Sequence, residues 1–442
     1  MNRGAVSVFG LGPVGLTVSL CLASRGFEVI GFDVDRDKLM VLKKGRVPFY
    51  EPGLDELLAS SLEKGTFKCT TDYKQAVLAT STTFITVGTP SRPDGSIDLS
   101  CVEDASRMIG DALAHKDDWH LVVVKSTVLP GTTEGLVRRL MEERSGKRCG
   151  PDFGLCANPE FLSEGSAVRD FLNPDRIVIG EHDKRSGDEL ESFYRSFYGN
   201  KMPPVLRTSP ANAELIKYAS NAFLAMKISF INTIADLCET IPGADVDVVA
   251  RGMGLDKRIS PLFLRAGAGY GGPCLPKDLN ALISFARSRG CEPLLLEAVQ
   301  EVNKRRPLKI VELARKALGS LRDRRVAVLG LSFKPGTDDV RNAPSLNVIR
   351  LLLEEGASVV VYDPMAMPRV RAIFGSRINY APSLIDCIRG ADCSIILTEW
   401  GEFKNIRFES FRKYMRTPVV IDGRRIYVNT DVDGVRYLTI GS

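Results

Sequence analysis

The chain has 442 residues, of which 44 % are hydrophobic and 26 % charged, with a formal net charge of +5. This composition is typical of a folded globular protein of about three ordinary domains. The basic residues are scattered and no apolar run reaches the roughly 18 residues of a membrane span, so we expect neither a nucleic-acid-binding surface nor a membrane anchor. With no signal-peptide pattern before the first strand, we expect a cytoplasmic protein that acts on a small, anionic substrate.

Cysteine and histidine give no sign of a metal site. Ten cysteines are spread through the chain without a CxxC pair or metal-ligand spacing, and disulfides are not expected in the cytoplasm. The three histidines, His115, His120 and His182, form no recognisable group. We therefore expect no metal, and we do not expect a histidine-dependent or zinc-dependent dehydrogenase.

The first segment is typical of a dinucleotide-binding βαβ unit. The strand Val6–Phe9 leads into Gly10-Leu11-Gly12-Pro13-Val14-Gly15, and a helical segment and a second strand, 28–32, follow. Glycines permit the tight turn and a close approach to pyrophosphate, and Asp33 at the end of the second strand suits a ribose hydroxyl. The acid would repel a 2′-phosphate, so we predict NAD rather than NADP, with Lys38 close to the adenosine end.

Three further strands end in polar or turn residues. They are predicted at 83–87, 121–125 and 153–157, with another at 176–179, and the first three end in Gly88-Thr89-Pro90, Ser126-Thr127 and Asn158-Pro159-Glu160. Ligands of open α/β sheets bind beyond the carboxyl ends of the strands. These three turns should therefore face the cofactor.

Residues 209–239 are predicted to form one helix about 45 Å long. The segment is apolar nearly all round, so we expect it to be buried on several sides, to lie between domains and to form a subunit interface. Lys217 and Asn221 are four residues apart and share a face. Since burying an unpaired ammonium is unfavourable, the pair predicts a polar cavity.

One cysteine has the surroundings of a nucleophile. The run Gly269-Tyr270-Gly271-Gly272-Pro273-Cys274-Leu275-Pro276-Lys277-Asp278 puts Cys274 between a flexible glycine loop and the start of a helix. The helix dipole and Lys277 both favour the reactive thiolate. The alternative is a buried structural cysteine beside a helix cap.

The remaining residues predict a second α/β unit. A basic linker, 303–307, and an amphipathic helix precede strands at 325–329, 358–362, 394–397 and 419–421. The first of these strands leads into a turn that carries Lys334 and Arg341 instead of a GxGxxG loop. We predict two Rossmann-like, doubly wound parallel sheets joined by the long helix and a small helical domain: residues 1–200 bind NAD, 201–305 dimerise and carry Cys274, and 306–442 bind substrate.

Six motifs in this order resemble those of the UDP-glucose/GDP-mannose dehydrogenase family: Phe49-Tyr50-Glu51-Pro52-Gly53; Lys125-Ser126-Thr127; 158–165; 214–217 with 221–223; the cysteine loop; and Phe333-Lys334 with Arg341. The resemblance implies an NAD-dependent enzyme that oxidises a nucleotide sugar twice at C6, from alcohol to acid, as a homodimer. The likeness is closer to members that convert UDP-glucose to UDP-glucuronate.

The resemblance also implies residue roles. Cys274 would form a thiohemiacetal and then a thioester. Thr127 and Asp278 would hold a water that acts as the base, near Lys217. Glu160 would activate the hydrolytic water, and Lys217 and Asn221 would stabilise the oxyanions. Implied cofactor contacts are Gly10, Gly12, Val14, Gly15, Asp33, Lys38, Thr89, Thr127, Glu164, Lys277 and Arg341. Implied substrate contacts are Glu160, Phe161, Leu162, Glu164, Lys217, Asn221, Phe263, Leu264, Arg265, Gly267, Gly271, Phe333 and Lys334, with Arg258 from a partner subunit.

Three alternatives stay open. The substrate could be GDP-mannose or a UDP-N-acetylhexosamine within the same family. A two-electron hydroxy-acid dehydrogenase shares the N-terminal domain and the long helix but needs no thiol. A non-catalytic NAD-binding regulator would have the same fold without the enzymatic activity.

Overall fold

The computed structural model of the protein describes residues 4–427 and 434–442. Its packing divides the chain into two compact units, with the boundary between Ser220 and Asn221.

The first unit is built on an eight-stranded sheet, whose described strands follow the order β3-β2-β1-β4-β5-β6-β7-β8. The strands are β1 Val6–Phe9, β2 Val29–Phe32, β3 Phe67–Thr70, β4 Thr82–Ile85, β5 His120–Val124, β6 Phe153–Ala157, β7 Ile177–Glu181 and β8 Val205–Thr208. The helices are α1 Pro13–Ser24, α2 Arg36–Lys43, α3 Leu54–Glu63, α4 Tyr73–Leu78, α5 Ser100–Leu113, α6 Arg138–Ser145, α7 Ala167–Leu172 and α8 Lys184–Tyr198, with a π-helical turn at Thr133–Val137 before α6. The strand order reverses direction at β1 and β4, as in dinucleotide-binding folds.

Helices cover both faces of this sheet. Side chains alternate along β1, so Val6 and Val8 pack into one core while Phe9 packs into the other. Strands buried on both faces are apolar along their whole length. For this reason β1 and β6 have the predicted bounds, while the more polar β3 and β8 were not predicted.

One strand pair departs from the parallel arrangement. β6 and β7 are antiparallel, with Cys156 opposite Glu181 and Ala157 opposite Gly180, and β7 and β8 are parallel to each other. The other described pairs of this sheet are parallel. The direction of β7 depends on the connection that carries α7. The apolar pattern of the strand does not predict this direction.

The long helix is present as α9, Pro210–Cys238. Tyr218, Ala225, Ile231 and Ala235 are fully buried. Other large apolar residues of the same helix remain exposed, with 43 % to 57 % of their surface accessible: Leu215, Phe223, Phe230 and Leu237. Burial therefore covers only part of the helix surface, and the subunit interface stays a prediction.

The second unit contains a six-stranded sheet in which all described pairs are parallel, with the order β11-β10-β9-β12-β13-β14. Its strands are β9 Arg325–Leu329, β10 Ser358–Tyr362, β11 Asn379–Tyr380, β12 Cys393–Ile396, β13 Val419–Asp422 and β14 Arg436–Thr439. Its helices are α10 Val246–Gly254, α11 Leu275–Ser288, α12 Leu294–Leu318, α13 Pro344–Glu354, α14 Met367–Phe374, α15 Leu384–Ile388, α16 Gly401–Lys404 and α17 Phe408–Tyr414.

The second sheet repeats the turn geometry of the first. Gly330 and Gly10 both have φ of +93°. The amide that follows each glycine donates to a carboxylate at the end of the neighbouring strand: Leu11 to Asp33 at 2.8 Å, and Leu331 to Asp363 at 2.7 Å. The prediction of two Rossmann-like folds is confirmed.

The predicted linker at 303–307 is wrong, because these residues lie inside α12. Arg306 is 2 % exposed and donates to Asp236 at 2.8 Å and to the Gly267 carbonyl at 3.3 Å. Pro307 is buried in the same helix. A run of basic residues with a proline resembles a linker in composition, but here Arg306 is buried and pairs with the partly exposed Asp236.

Candidate active site

The three glycines of the first loop have different surroundings. Gly10 has a positive φ, which only glycine adopts without strain. A Cβ on Gly15 would lie 1.8 Å from the Gly10 carbonyl oxygen, whereas a Cβ on Gly12 would meet nothing within 4 Å. Gly12 is also the N-cap of α1 and has no side chain to occupy the first amides of that helix. Tight packing at Gly15 and open space at Gly12 fit a pyrophosphate bound against the helix N-terminus.

The acid at the end of β2 is held in place by its neighbours. Asp33 is 6 % exposed and accepts hydrogen bonds from the amides of Leu11, at 2.8 Å, and Asp35, at 3.0 Å. Lys38 donates to the same carboxylate at 2.7 Å. The structure thus brings together the two residues predicted for the adenosine end.

The turns after β4 and β5 lie side by side. Thr89 donates to the Thr127 carbonyl at 3.0 Å, and Ser126 donates to the Val87 carbonyl at 2.7 Å. This places the predicted cofactor residues Thr89 and Thr127 together at the carboxyl edge of the sheet.

A buried glutamate of α9 holds the loop that follows Thr127. Glu214 accepts hydrogen bonds from the amides of Gly131, at 2.6 Å, and Thr133, at 2.8 Å. Burial raises the pKa of Glu214 to about 7. Its ionisation therefore falls near neutral pH.

Glu160 and Lys217 form a buried ion pair. The Lys217 ammonium donates to Glu160 at 3.0 Å, and the Leu162 amide donates to the second carboxylate oxygen at 2.5 Å. Burial by itself would raise the pKa of Glu160, but Lys217, the Leu162 amide and Lys125 together hold it below its usual range. The polar environment that the sequence predicted for Lys217 is supplied by Glu160.

Lys125 lies beside this pair and was not among the predicted site residues. It is 4 % exposed and donates to the Asn158 side chain at 3.0 Å, while the Tyr194 hydroxyl donates to the same amide oxygen. Burial lowers the pKa of Lys125 to about 8, against the opposing attraction of Glu160. A lysine directly after a fully buried strand is the sequence feature that could have indicated Lys125 as a site residue.

The loop that carries Glu160 is fixed at two further points. The Arg176 guanidinium lies 3.9 Å from the centre of the Phe161 ring. Glu51 is 4 % exposed and accepts from the amides of Gly165, at 2.7 Å, and Ala167, at 2.8 Å. Glu51 was quoted only as part of a motif, and its contacts now connect it to the loop that holds Leu162 and Glu164.

The second unit carries the cysteine. Cys274 is exposed and is the N-cap of α11, so the prediction of a thiol at a helix N-terminus is confirmed. The buried Asp278 accepts from Asn221 at 2.6 Å and from Lys277 at 2.5 Å. Because Lys277 pairs with Asp278, its positive charge is partly neutralised and does not act on the Cys274 thiol alone.

The glycine loop before Cys274 packs closely against the turn after β9. A Cβ on Gly271 would lie 2.3 Å from the Asn342 carbonyl oxygen, and one on Gly272 would lie 2.7 Å from the Phe333 ring. The Gly272 amide donates to the Arg341 carbonyl at 2.8 Å. Glycines are thus required here by close backbone approach.

The predicted residues of that turn have local partners. Lys334 lies 5.4 Å from the centre of the Phe333 ring. The side chain of Arg341 donates to Asp339 at 2.8 Å. Both cations belong to the same short segment as Phe333, in the position that the sequence predicted for substrate and cofactor contacts.

The loop 258–267 contains both buried and exposed predicted residues. Leu264 is buried, whereas Phe263 is 43 % exposed and has φ of +65°. The Gly267 amide donates to Asn232 at 2.9 Å. Arg258 is exposed and pairs with Asp256 within this chain.

Arg424, after β13, is a candidate that the sequence did not indicate. It donates to the carbonyls of Leu397, at 2.7 Å, and Gly269, at 2.8 Å. Its Nη2 is buried without a hydrogen-bond partner among the described residues. The predicted Arg265 donates to the Arg424 carbonyl at 3.4 Å. A buried guanidinium with one unused donor beside the cysteine loop suits an anionic ligand.

Family models match three consecutive stretches of the chain. The NAD binding, central and UDP binding domains of the UDP-glucose/GDP-mannose dehydrogenase family match residues 4–198, 211–305 and 327–429. The chain belongs to this family. The protein is therefore an oxidoreductase, and its cofactor is NAD, which fits the glycine loop and Asp33.

Individual relatives agree with this assignment. The chain is 45 % identical to a UDP-glucose 6-dehydrogenase of Haloferax volcanii over 95 % of this chain and 96 % of the relative. It is 44 % identical to a UDP-glucose dehydrogenase structure from Pyrobaculum islandicum, with a TM-score of 0.91 and coverage of 99 % and 98 %. A UDP-D-ManNAc dehydrogenase structure from Pyrococcus horikoshii is 30 % identical, with a TM-score of 0.87 and 99 % of each chain covered.

The described residues contain neither a candidate metal site nor a candidate membrane span. Residues 4–427 and 434–442 contain no group of three or more His, Cys, Asp or Glu side chains suited to a metal ion. Within the same residues, no helix has the length and apolar character needed to cross a bilayer.

Proposed function

We propose that the protein oxidises UDP-glucose at C6 by four electrons, consuming water and NAD to give UDP-glucuronate and NADH. The observation that carries this proposal is Cys274, an exposed thiol at the N-terminus of α11 behind a close-packed glycine loop. UDP-glucose is favoured because relatives named for it are 45 % and 44 % identical, against 30 % for the UDP-D-ManNAc enzyme.

The first oxidation removes a proton from the C6 hydroxyl. Thr127 and Asp278 hold the water that takes this proton, and Lys217 donates to the oxygen on which negative charge develops. When bound, NAD accepts the hydride that leaves C6 in each oxidation. Lys217 can serve as a donor because it is already buried and oriented by Glu160 at 3.0 Å.

The second oxidation requires a nucleophile, since an aldehyde has no hydride to release readily until a group adds to its carbon. The Cys274 thiolate forms a bond to C6 as the carbonyl π bond opens, which gives the oxyanion of a thiohemiacetal. Loss of a second hydride from the same carbon leaves a thioester on Cys274. The helix N-terminus favours the thiolate that makes this addition.

Hydrolysis completes the reaction. Glu160 takes a proton from water, the water oxygen bonds to the acyl carbon, and the carbon–sulfur bond breaks to release the thiolate. A general base must be unprotonated before it can act, and Lys217, the Leu162 amide and Lys125 hold the pKa of the buried Glu160 below its usual range. Lys217 and Asn221 donate to the oxyanion formed at each addition, where one such donor is worth about 3 kcal/mol.

The nucleotide part of the substrate carries a diphosphate. We assign it to the second unit, to Phe263, Arg265, Phe333 and Lys334 together with Arg424, because arginine and lysine cations form charge-assisted hydrogen bonds to phosphate. Nη2 of Arg424 has no hydrogen-bond partner among the described residues. Residues 1–200 would then bind NAD, 201–305 would carry the cysteine and dimerise, and 306–442 would bind the nucleotide sugar.

We further propose a homodimer through α9, with Arg258 reaching the substrate of the partner. The exposed residues Phe223, Phe230 and Leu237 support this, since large apolar side chains are seldom left in water on one helix. A reactive thiol and an NAD-dependent reaction are both suited to the reducing cytoplasm, where we place the enzyme. Analytical ultracentrifugation of Phe230→Glu, which should sediment as a monomer, tests the interface.

A substrate panel tests the proposed reaction. UDP-glucose, GDP-mannose and UDP-N-acetylmannosamine are compared at equal concentration while NADH and consumed sugar are both counted. UDP-glucose should be preferred, with about two NADH per sugar, because each NAD accepts two of the four electrons. A ratio of about one would support a two-electron dehydrogenase, and no turnover at all would support a regulator.

The role of the thiol is tested separately. Cys274→Ser should stop at or near the aldehyde, while Cys291→Ser, another exposed cysteine outside the loop, should behave as the unchanged protein. Full conversion to the acid by Cys274→Ser would contradict the thioester mechanism.

A further inference from the structure

The first unit contains a cavity of about 270 Å³, here called the loop cavity. Its inner end is lined by the buried residues Lys125, Glu160 and Tyr194, and its outer end by the exposed residues Asn173 and Asp175. The cavity therefore extends from solvent to the buried ion pair.

The lining of the loop cavity is suited to water. Arg169, Asp170 and Asp175 contribute charges of both signs, so a ligand of one charge is not favoured. Polar cavities of protein interiors are hydrated, and a volume of this size is well above the roughly 10–15 Å³ that one water needs. Water needs polar partners, and Asn158 and Tyr194 supply them at the inner end.

Glu160 has acceptor capacity left for such water. One of its oxygens accepts from Lys217 and the other from the Leu162 amide. Each carboxylate oxygen can accept more than one hydrogen bond. A water in the loop cavity can therefore bind Glu160 without displacing Lys217.

We propose that the loop cavity delivers the water that hydrolyses the thioester and carries away the proton released in that step. This inference rests on the function proposed above. The water oxygen bonds to the acyl carbon as the bond to Cys274 breaks, and its proton passes to Glu160 and then to cavity water. The neighbouring Lys125 ammonium, donating to Asn158 at 3.0 Å, favours the ionised Glu160 that accepts the next proton.

Blocking the outer end tests the proposal. Asn173→Trp and Asp175→Trp place a large side chain at two independent exposed positions, and Asn173→Ala and Asp175→Ala are the matched controls. Single-turnover rapid mixing measures NADH formation, and intact-protein mass spectrometry measures the acyl group on Cys274 over time. Melting temperatures identify any variant that does not fold.

The expected result is specific to hydrolysis. Both tryptophan variants should form NADH at the unchanged rate while the acyl group on Cys274 decays at least about tenfold more slowly. The alanine variants should match the unchanged protein. Unchanged decay in the folded tryptophan variants would overturn the loop-cavity proposal alone, whereas absence of the acyl group in the unchanged protein would overturn the proposed function.

Discussion

Two alanine substitutions in the first loop should separate folding from NAD binding. In Gly15→Ala the new Cβ would lie 1.8 Å from the Gly10 carbonyl oxygen and 2.5 Å from the Thr86 hydroxyl. Backbone must move by more than about 1 Å, and overpacking of this severity costs about 3 kcal/mol or more. For a unit of this size the melting temperature should fall by about 6–12 °C.

Gly12→Ala is the matched variant, because its Cβ meets no atom within 4 Å and its φ of −75° suits alanine. Its melting temperature should change by less than about 2 °C, since substitutions without new contacts seldom alter stability. Its Kd for NAD should nevertheless rise at least about tenfold, because the methyl group enters the space through which pyrophosphate approaches the backbone.

Differential scanning calorimetry and NADH fluorescence titration measure the two effects on the same samples. The reasoning would be refuted if Gly15→Ala melted at the unchanged temperature, or if Gly12→Ala bound NAD as tightly as the unchanged protein. Either result would mean that the close contact or the open space around these glycines does not exist in solution.

Three further changes have defined outcomes. Asp33→Asn should raise kcat/KM for NADP relative to NAD about tenfold, because it removes the acid that repels a 2′-phosphate and leaves Lys38 to bind it; steady-state kinetics with both coenzymes measures this. Glu51→Gln should raise the KM for UDP-glucose severalfold at an unchanged KM for NAD, because an amide can no longer accept from both loop amides; the exposed Glu56→Gln is the control, and equal kinetics of the two variants would contradict the role. Burial raises the pKa of Glu214 to about 7. At pH values between the usual pKa of a glutamate and about 7, the folded state therefore binds more protons than the unfolded state. The free energy of unfolding accordingly falls as the pH rises through this range. Glu214→Gln should therefore lose less melting temperature between pH 5 and pH 8 than the unchanged protein, and an equal loss would refute the assignment.

Much of the fold could be predicted from local sequence patterns. Strands that are mostly buried and mostly apolar, such as β1, β6, β9 and β10, have predicted bounds that match the structure. The glycine loop and the cysteine at a helix start were also predicted, because turn geometry and helix initiation depend on neighbouring residues.

Contacts between distant segments could not be predicted in the same way. Glu51 holds amides more than 110 positions away in the chain, at Gly165 and Ala167. The buried Arg306 forms an ion pair with Asp236, within a segment that resembles a linker in composition but is helical. In both cases, the local sequence around one residue does not indicate which residue it contacts.

The sequence alone determined which chemical groups are present: a glycine loop for a dinucleotide, an acid for its ribose and a thiol at a helix N-terminus. These depend on short-range geometry, so a few neighbouring residues specify them. Only the tertiary structure decided how polar groups are paired around them. The contacts of Lys217 with Glu160 and of Asp278 with Asn221 join residues 57 positions apart, which folding brings within about 3 Å.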